Sequence, residues 1–290
     1  MSKAFAAVTP PTRSPSPAPA SEERWVARLE LNFHEREGRT VMGPGYRCGP
    51  LAVQRPFYPG DGVCHTYVLH PPGGLAGGDD VTIVCNVHDF AKTLVTTPGA
   101  TKFYRCEGRK AVQRQLLNVG AGAALEWLPQ DAIYFENANC EVCLDVSLAH
   151  DARLAVWDIA CFGRPANRIA LADGSVVQQI RIRREGMPKL IEQIRITGEL
   201  VDTATVLRGY QTCATAVFTP ANSAALGVAQ AACEGARKGL FGATLVDDLL
   251  VVRCLTQSAE DARNVLTDIW AELRPSLFGD ANHAPRIWRT

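Results

Sequence analysis

The chain has 290 residues, with 30 basic and 30 acidic side chains and a formal net charge of zero. No basic excess exists to neutralise phosphates, which argues against nucleic-acid binding, and the lack of net charge favours association with other proteins. Hydrophobic residues make up 47 % of the chain, enough for one large domain or two small ones.

The N-terminal segment 1–22 holds five prolines and four serines and no apolar stretch of the kind a signal peptide needs. We expect a disordered tail over 1–22 and a single β-rich domain over 23–290. Ten cysteines without a signal peptide are expected to be reduced thiols, which predicts a cytoplasmic location. The longest uncharged stretch, 209–233, is interrupted by polar residues and by Pro220. It predicts a soluble strand, turn and helix instead of a membrane span.

Most of the chain carries the period-two pattern of half-buried strands. From Trp25 to Phe33 apolar residues alternate with polar ones. Many similar runs, separated by Gly, Pro, Asn and Asp, predict a mostly β body, and the letters show no repeat of fixed period. The other predicted strands are Val63–Leu69, Val81–Val87, Lys92–Thr97, Ala111–Val119, Ala123–Leu128, Val142–Leu148, Leu154–Ile159, Val176–Ile182 and Leu190–Ile196.

Two helices are predicted near the C-terminus. Pro220–Ala236 is Ala-rich and follows Thr219, a candidate N-cap with proline at the first helical position. Ala259–Leu273 follows Ser258 as N-cap and carries an apolar stripe at helical spacing; Pro275 is expected to end it. Between the helices, residues 243–255 predict a strand with a break at the two adjacent aspartates.

Common catalytic motifs are missing from the sequence. There is no Walker A loop, no GxGxxG opening a helix, no GxSxG and no HExxH, so a partner must supply any nucleotide that the function needs. The one CxxC pair, Cys140 and Cys143, lies in a predicted strand, where residues three apart face opposite sides. The two sulfurs would share a metal only if a turn intervened at Cys140.

Three loops stand out by composition. The segment from His70 to Asp80 has four glycines in six residues and ends in two acids, and on a strand at most one acid faces inward. The segment from Thr96 to Arg105 gathers cations, aromatic rings and hydroxyls around a Pro-Gly turn. Near Trp157, alternation places Asp158 among inward apolar residues. That predicts either an ion pair, with Arg105 or Arg164, or a polar site inside the β body.

Five segments in one order resemble the UreD (UreH) family of urease accessory proteins, from about Trp25 to Thr290. They are RPFYPGDGVCHTYVLHPPGGLAGGDD, TTPGATKFYR, LEWLPQDAIYF, WDIACFGRP and LRPSLFGDANHAPRIWRT. The family's Gly-Glu pair after Gly-Arg is absent here after Arg164. The resemblance implies a mostly β fold of stacked, helically wound strands with two helices at one side.

The resemblance also implies a non-enzymatic scaffold and metallochaperone in urease maturation. Such proteins bind apo-urease and UreF, which recruits the GTPase UreG, and the assembly delivers nickel(II) in transit without holding it as a tight cofactor. No nucleic acid or membrane partner is implied. A thiol- or metal-dependent hydrolase and a β-rich interaction module without a metal route are the alternatives.

Candidate residues follow from the three loops. We expect a polar passage for nickel lined by weak oxygen ligands, since thiolate or imidazole clusters would hold the ion too tightly for release. The lining candidates are Asp79, Thr101 and Asp158, with Asp80 a weaker one. The candidates for shaping the loops or contacting partners are His70, Gly74, Gly78, Lys102, Tyr104, Arg105 and Arg164.

Overall fold

The computed structural model describes residues 25–59, 62–279 and 284–289, so the predicted tail over 1–22 lies outside the described residues. The first strands of the body are β1 (Val26–Arg36), β2 (Arg39–Met42), β3 (Tyr46–Cys48), β4 (Ala52–Val53), β5 (Cys64–Leu69), β6 (Gly74–Leu75), β7 (Asp80–Val87), β8 (Lys92–Thr96), β9 (Thr101–Phe103) and β10 (Ala111–Val119). The later elements are β11 (Ala124–Trp127), β12 (Ala132–Tyr134), β13 (Asn139–Leu148), β14 (Arg153–Phe162), β15 (Ser175–Arg184), β16 (Met187–Thr197), β17 (Thr212–Thr219), α1 (Ser223–Gly235), β18 (Leu240–Val246), β19 (Leu249–Thr256) and α2 (Ala259–Phe278).

The strands wind into a solenoid of about four coils, which confirms the mostly β, helically wound fold. In the first sheet β1, β7, β10, β13 and β15 are parallel neighbours, and in the second β5, β8, β11 and β14 are. The chain alternates between the two sheets, because each parallel pair needs a crossover. Antiparallel β16 closes one sheet, and β17, β19 and β18 close the other.

Aligned residues of successive coils are unequally spaced along the chain. One rung of the first sheet runs through Val26, Asp80, Val112, Glu141 and Val177. The corners between strands differ in length, which is why the letters show no fixed period. The β-strand signal itself was clear, since inward positions are buried on nearly every rung.

An outward asparagine ladder also fixes the register of the coils. Asn86 donates its amide N–H to Asn32 over 2.9 Å, and Asn118 donates to Asn86 over 2.8 Å. Each amide bridges to the next coil on the solvent side, as backbone hydrogen bonds do within the sheet. A slip by one residue would move the ladder inward and break it.

Two apolar cores share the second sheet. One fills the solenoid interior, and the other lies between the outer face of the sheet and the two helices. Glu126 of β11 is buried in the second core and accepts hydrogen bonds from Trp270 Nε1 over 2.6 Å and from Arg274 Nη2 over 3.0 Å. This buried ion pair ties α2 to the solenoid. Neither helix combines the length and apolarity that a bilayer crossing requires, within the described part of the chain.

Both helix predictions need correction at an end. The first helix begins at Ser223 with Asn222 as N-cap, not after Thr219. The Thr219 side chain is buried at the end of β17, where it accepts from Arg184 over 2.7 Å and donates to Asp248 over 2.9 Å.

The second helix runs through Pro275 to Phe278 and ends at Gly279, whose φ of 71° gives a left-handed C-cap. Proline removes one helical hydrogen bond. Leu277 and Phe278 are nevertheless buried in the second core, and burying two large apolar side chains outweighs that loss. The expectation that Pro275 ends the helix is therefore wrong.

Candidate functional site

The glycine-rich segment forms the corner between the first and second coils. β6 pairs with β9 so closely that a Cβ at Gly74 would overlap the Lys102 carbonyl oxygen and the Tyr104 ring. Only glycine allows this approach of two backbones. Gly78 has a φ of 96° and lies against the Arg109 guanidinium. The glycines therefore have a packing role, which the sequence alone did not separate from a flexible turn.

His70 and Asp79 lie at the two ends of the glycine-rich corner. Asp79 is buried and accepts a hydrogen bond from the Ala76 N–H over 2.7 Å. The His70 Nε2 is buried and has no hydrogen-bond partner among the described residues. Burial lowers the pKa of His70, and the nearby Asp79 carboxylate opposes part of that shift. Both groups thus lie at one corner, with Asp79 holding the turn.

The neighbouring acid points the other way. Asp80 begins β7 on the solvent side, where it forms an ion pair with Arg114 of β10 over 2.5 Å. Alternation along the strand separates it from Asp79, as the sequence predicted for two adjacent acids. Asp80 is therefore an outward residue in this structure.

Asp158 faces the solenoid interior from the middle of β14. Its neighbours on the same face, Leu154, Val156 and Ala160, belong to the interior core, which confirms the face predicted from alternation. The Gln178 side-chain amide donates to Asp158 Oδ2 over 3.1 Å and to the Tyr134 hydroxyl over 3.3 Å. Burial raises the pKa of Asp158 to about 6, the Gln178 hydrogen bond opposes the shift, and the negative charge of Glu192 adds to it.

The ion-pair interpretation of Asp158 is wrong. Arg105 lies at the surface and pairs with Glu107 over 3.3 Å. Arg164 pairs with Glu136, with nitrogen–oxygen distances of 2.6 and 3.1 Å. Asp158 thus has a neutral amide partner, so it belongs to a polar site inside the β body.

Three cavities follow one another through the interior. An outer cavity of about 470 Å³ is lined by His70, Pro98, Thr101 and Lys102. It shares Thr101 and three other wall residues with a central cavity of about 40 Å³, whose far wall includes Asp158. A terminal cavity of about 30 Å³ lies on the other side of Asp158. Each of the two small cavities has room for ordered water.

Polar side chains that the sequence analysis did not single out line the two small cavities. Gln113 and Gln115 of β10 face the central cavity, and Gln115 accepts from Trp127 Nε1 over 2.7 Å. Gln178 and Glu192 face the terminal cavity. The available signal was polarity at inward positions of the strand predicted over Ala111–Val119, where apolar residues are the rule.

The terminal cavity is bounded by an ion pair between the two sheets. Glu192 of β16 pairs with Arg253 of β19 over 2.7 Å, and the Arg253 side chain is 50 % exposed. Thr215 donates to Glu192 over 3.4 Å. The interior polar groups thus reach close to the surface beside the last antiparallel strands.

The remaining loop candidates have structural partners. The Tyr104 N–H donates to the Leu75 carbonyl over 2.8 Å, which joins the second loop to the glycine-rich corner. The Thr101 N–H donates to the Asp131 carbonyl over 2.9 Å, so the corners of successive coils stack on one another. Arg164 also lies over the ring of Phe135, 4.9 Å from its centroid.

The cysteines do not form a metal cluster in the described residues, where no three His, Cys, Asp or Glu side chains converge to hold an ion. Cys140 faces inward and Cys143 outward on β13, as the predicted strand geometry requires. Because they face opposite sides of the sheet, the two CxxC sulfurs cannot share a metal. Burial raises the pKa of a further cysteine, Cys161, to about 11.

Comparisons with known proteins agree along almost the whole chain. The family model described as UreD urease accessory protein matches residues 26–289. A urease accessory protein UreD of Klebsiella aerogenes is 41 % identical over 275 residues, covering 94 % of this chain and 99 % of the relative. The UreD of Pseudomonas entomophila (strain L48) is 39 % identical over 272 residues, 94 % and 97 % of the two chains. That of Janthinobacterium sp. (strain Marseille) is 42 % identical over 270 residues, 91 % of each.

Proposed function

This chain belongs to the UreD urease accessory protein family, and from that membership we propose that it is a non-enzymatic scaffold and nickel conduit. It binds apo-urease and the complex of UreF with the GTPase UreG, and it guides nickel(II) toward the urease active site. The location proposed for this function is the cytoplasm. Family membership carries the role in urease maturation; the partners and the route are our proposal.

The observation that supports a route is the position of Asp158 between two small cavities, each with several polar side chains in its wall. A nickel ion entering at the outer cavity would meet Thr101, then the glutamine amides, then Asp158 and Glu192. These are oxygen donors, which hold a late divalent metal more weakly than thiolates or imidazoles do. Several weak sites in a row allow an ion to enter and to leave.

The pKa of Asp158 suits such a passing site. A carboxyl with a pKa of about 6 is mostly ionised at neutral pH, so its negative charge is available to a passing cation. A permanently paired carboxylate would have no free charge for the ion. Asp79 has a different part in the proposal. It accepts the hydrogen bond that fixes the glycine-rich turn, and this turn lies next to His70 in the wall of the outer cavity.

The test compares Asp158→Asn with Asp80→Asn, a matched variant on the solvent face. Each variant is co-expressed with urease and the other accessory proteins, and three quantities are measured: co-purification with apo-urease and UreF, nickel per urease site, and urease activity. We expect Asp158→Asn to assemble normally and to yield nickel-poor urease, while Asp80→Asn yields fully loaded urease. Normal nickel loading with Asp158→Asn would exclude this route.

The same comparison separates the alternatives. An interaction module without a route predicts that Asp158→Asn and Thr101→Val are both silent, whereas surface substitutions abolish activation. A thiol-dependent hydrolase predicts a turnover that thiol alkylation abolishes. The conduit predicts that alkylating the exposed Cys48 leaves nickel loading unchanged.

A further inference from the structure

An arginine pairs with one of the two carboxylates in the wall of the terminal cavity. Asp158 and Glu192 both line this cavity, and the half-exposed Arg253 side chain contacts Glu192. We propose that Arg253 is a displaceable counter-ion. It holds Glu192 while no cation is bound, and it turns out to solvent when a divalent cation takes its place beside the two carboxylates. The inference rests on the nickel route proposed above and concerns the regulation of its last site.

Arg253 occupies both oxygens of the Glu192 carboxylate. Its Nη2 donates to Oε2 over 2.7 Å, and its Nε lies 3.3 Å from each oxygen. Thr215 donates to Oε1 over 3.4 Å. A cation can bind this carboxylate fully only after the guanidinium has moved away, because two positive charges would otherwise share the same oxygens.

The strand register places Arg253 on the same face of the second sheet as Asp158. Asp158 of β14 is opposite Thr215 of β17, and Thr215 is opposite Arg253 of β19. Residues directly opposite one another project from the same face of a sheet. The three side chains therefore form one row over two strand spacings, about 10 Å. Glu192 reaches this row from the other sheet.

The end of this row has space for a guanidinium that turns outward. The next residue in register is Gly242 of β18, and a Cβ there would meet no atom within 4 Å. The Arg253 side chain is 50 % exposed, whereas the Arg274 side chain in the buried pair with Glu126 is 0 % exposed. Water can therefore replace Glu192 as the partner of Arg253, while no such exchange is open to Arg274. The terminal cavity thus carries an ion pair that is able to open.

Exchange of the guanidinium for a divalent cation balances the charge of the site. Asp158 and Glu192 are the charged residues in the described wall of the terminal cavity. With Arg253 in place, two ionised carboxylates and one guanidinium leave a net negative charge, and a divalent cation in its place cancels that charge. Hydrogen bonds to Glu192 raise the pKa of Arg253, so the guanidinium stays charged and competes with the cation. This competition keeps the site weak enough for release, as a transit site requires.

The experiment measures the affinity of the full-length chain for nickel(II) by calorimetric titration at pH 7.5. Arg253→Gln removes the competing charge and keeps an amide beside Glu192. A unit charge about 6 Å from a divalent cation changes its affinity by about tenfold even at the dielectric constant of water. We expect Arg253→Gln to bind nickel about tenfold more tightly than wild type. Arg253→Lys, which restores the charge, should bind nickel as wild type does.

Three further variants locate the gain in affinity. Arg114→Gln is the matched control and should leave the affinity unchanged, because the Arg114 side chain is 44 % exposed and pairs with Asp80 on the solvent face. The double variant Arg253→Gln, Asp158→Asn should lose the gain, since one of the two carboxylates is then neutral. Glu192→Gln should bind nickel more weakly than wild type, which tests the site even if Arg253→Gln does not fold.

The counter-ion role is overturned by any of four results: an unchanged affinity in Arg253→Gln, the same gain in Arg253→Lys, a gain that persists in the double variant, or wild-type affinity in Glu192→Gln. Each of these results leaves the route itself intact if Asp158→Asn still yields nickel-poor urease in the co-expression assay. Normal nickel loading with Asp158→Asn excludes the route whatever the affinities are, so the two failures are distinguishable.

Discussion

The carboxyl of Asp158, enclosed in the β body, should make the protein less stable as the pH rises. Its pKa in the folded chain is about 6, above the ordinary 3.8, so folding favours the protonated form. This stabilisation is complete below pH 3.8 and is lost as the pH rises through 6. From low pH to neutral pH the full shift corresponds to a loss of about 3 kcal/mol in the free energy of unfolding. Between pH 5 and pH 7.5 the linkage relation gives a loss of about 1.4 kcal/mol.

Asp158→Asn removes this titration while keeping a carbonyl oxygen that accepts from Gln178. We expect the free energy of unfolding of the variant, relative to wild type, to increase by about 1.4 kcal/mol from pH 5 to pH 7.5. Urea unfolding followed by circular dichroism at both pH values measures it, since all other titrations cancel in the difference. A difference between wild type and Asp158→Asn that is independent of pH would refute the reasoning.

Three other substitutions test the packing around the site. Arg274→Met leaves the buried carboxylate of Glu126 uncompensated and should lower the free energy of unfolding by about 3–5 kcal/mol in urea titrations. Gly74→Ala forces two backbones apart at the glycine-rich corner and should lower the melting temperature, whereas Gly99→Ala in an open turn should leave it unchanged. Trp288→Phe keeps a ring in the helix core but loses the 2.9 Å hydrogen bond to Thr96, so calorimetry should show a loss of about 1 kcal/mol.

The strand pattern was predictable from the sequence because alternation survives in every coil. The inward face of β14, with Asp158 among apolar residues, follows from period two alone. The winding did not follow, since parallel neighbours come from different coils and their corners differ in length. A single sequence contains no signal that pairs Val112 with Glu141.

The site was predictable only in part, for a physical reason that differs between residues. The surroundings of Asp158 depend on Gln178, which comes from the following coil. The candidate N-cap Thr219 failed because Arg184 and Asp248 bind its hydroxyl group, and side chains from other elements leave no local trace. The residue-by-residue assignment of the nickel route stays a prediction for the nickel-loading assay.

The small volumes on either side of Asp158 have a consequence for hydration. A cavity of 30–40 Å³ admits about three waters, fewer than the six of an octahedral aqua cation. On the proposed route, a divalent ion at Asp158 would therefore exchange part of its hydration shell for protein oxygens. The rate of ligand exchange, and not the rate of diffusion, would then limit transit. Cations that exchange their water ligands at different rates would pass at different rates, even where their affinities for the site are equal.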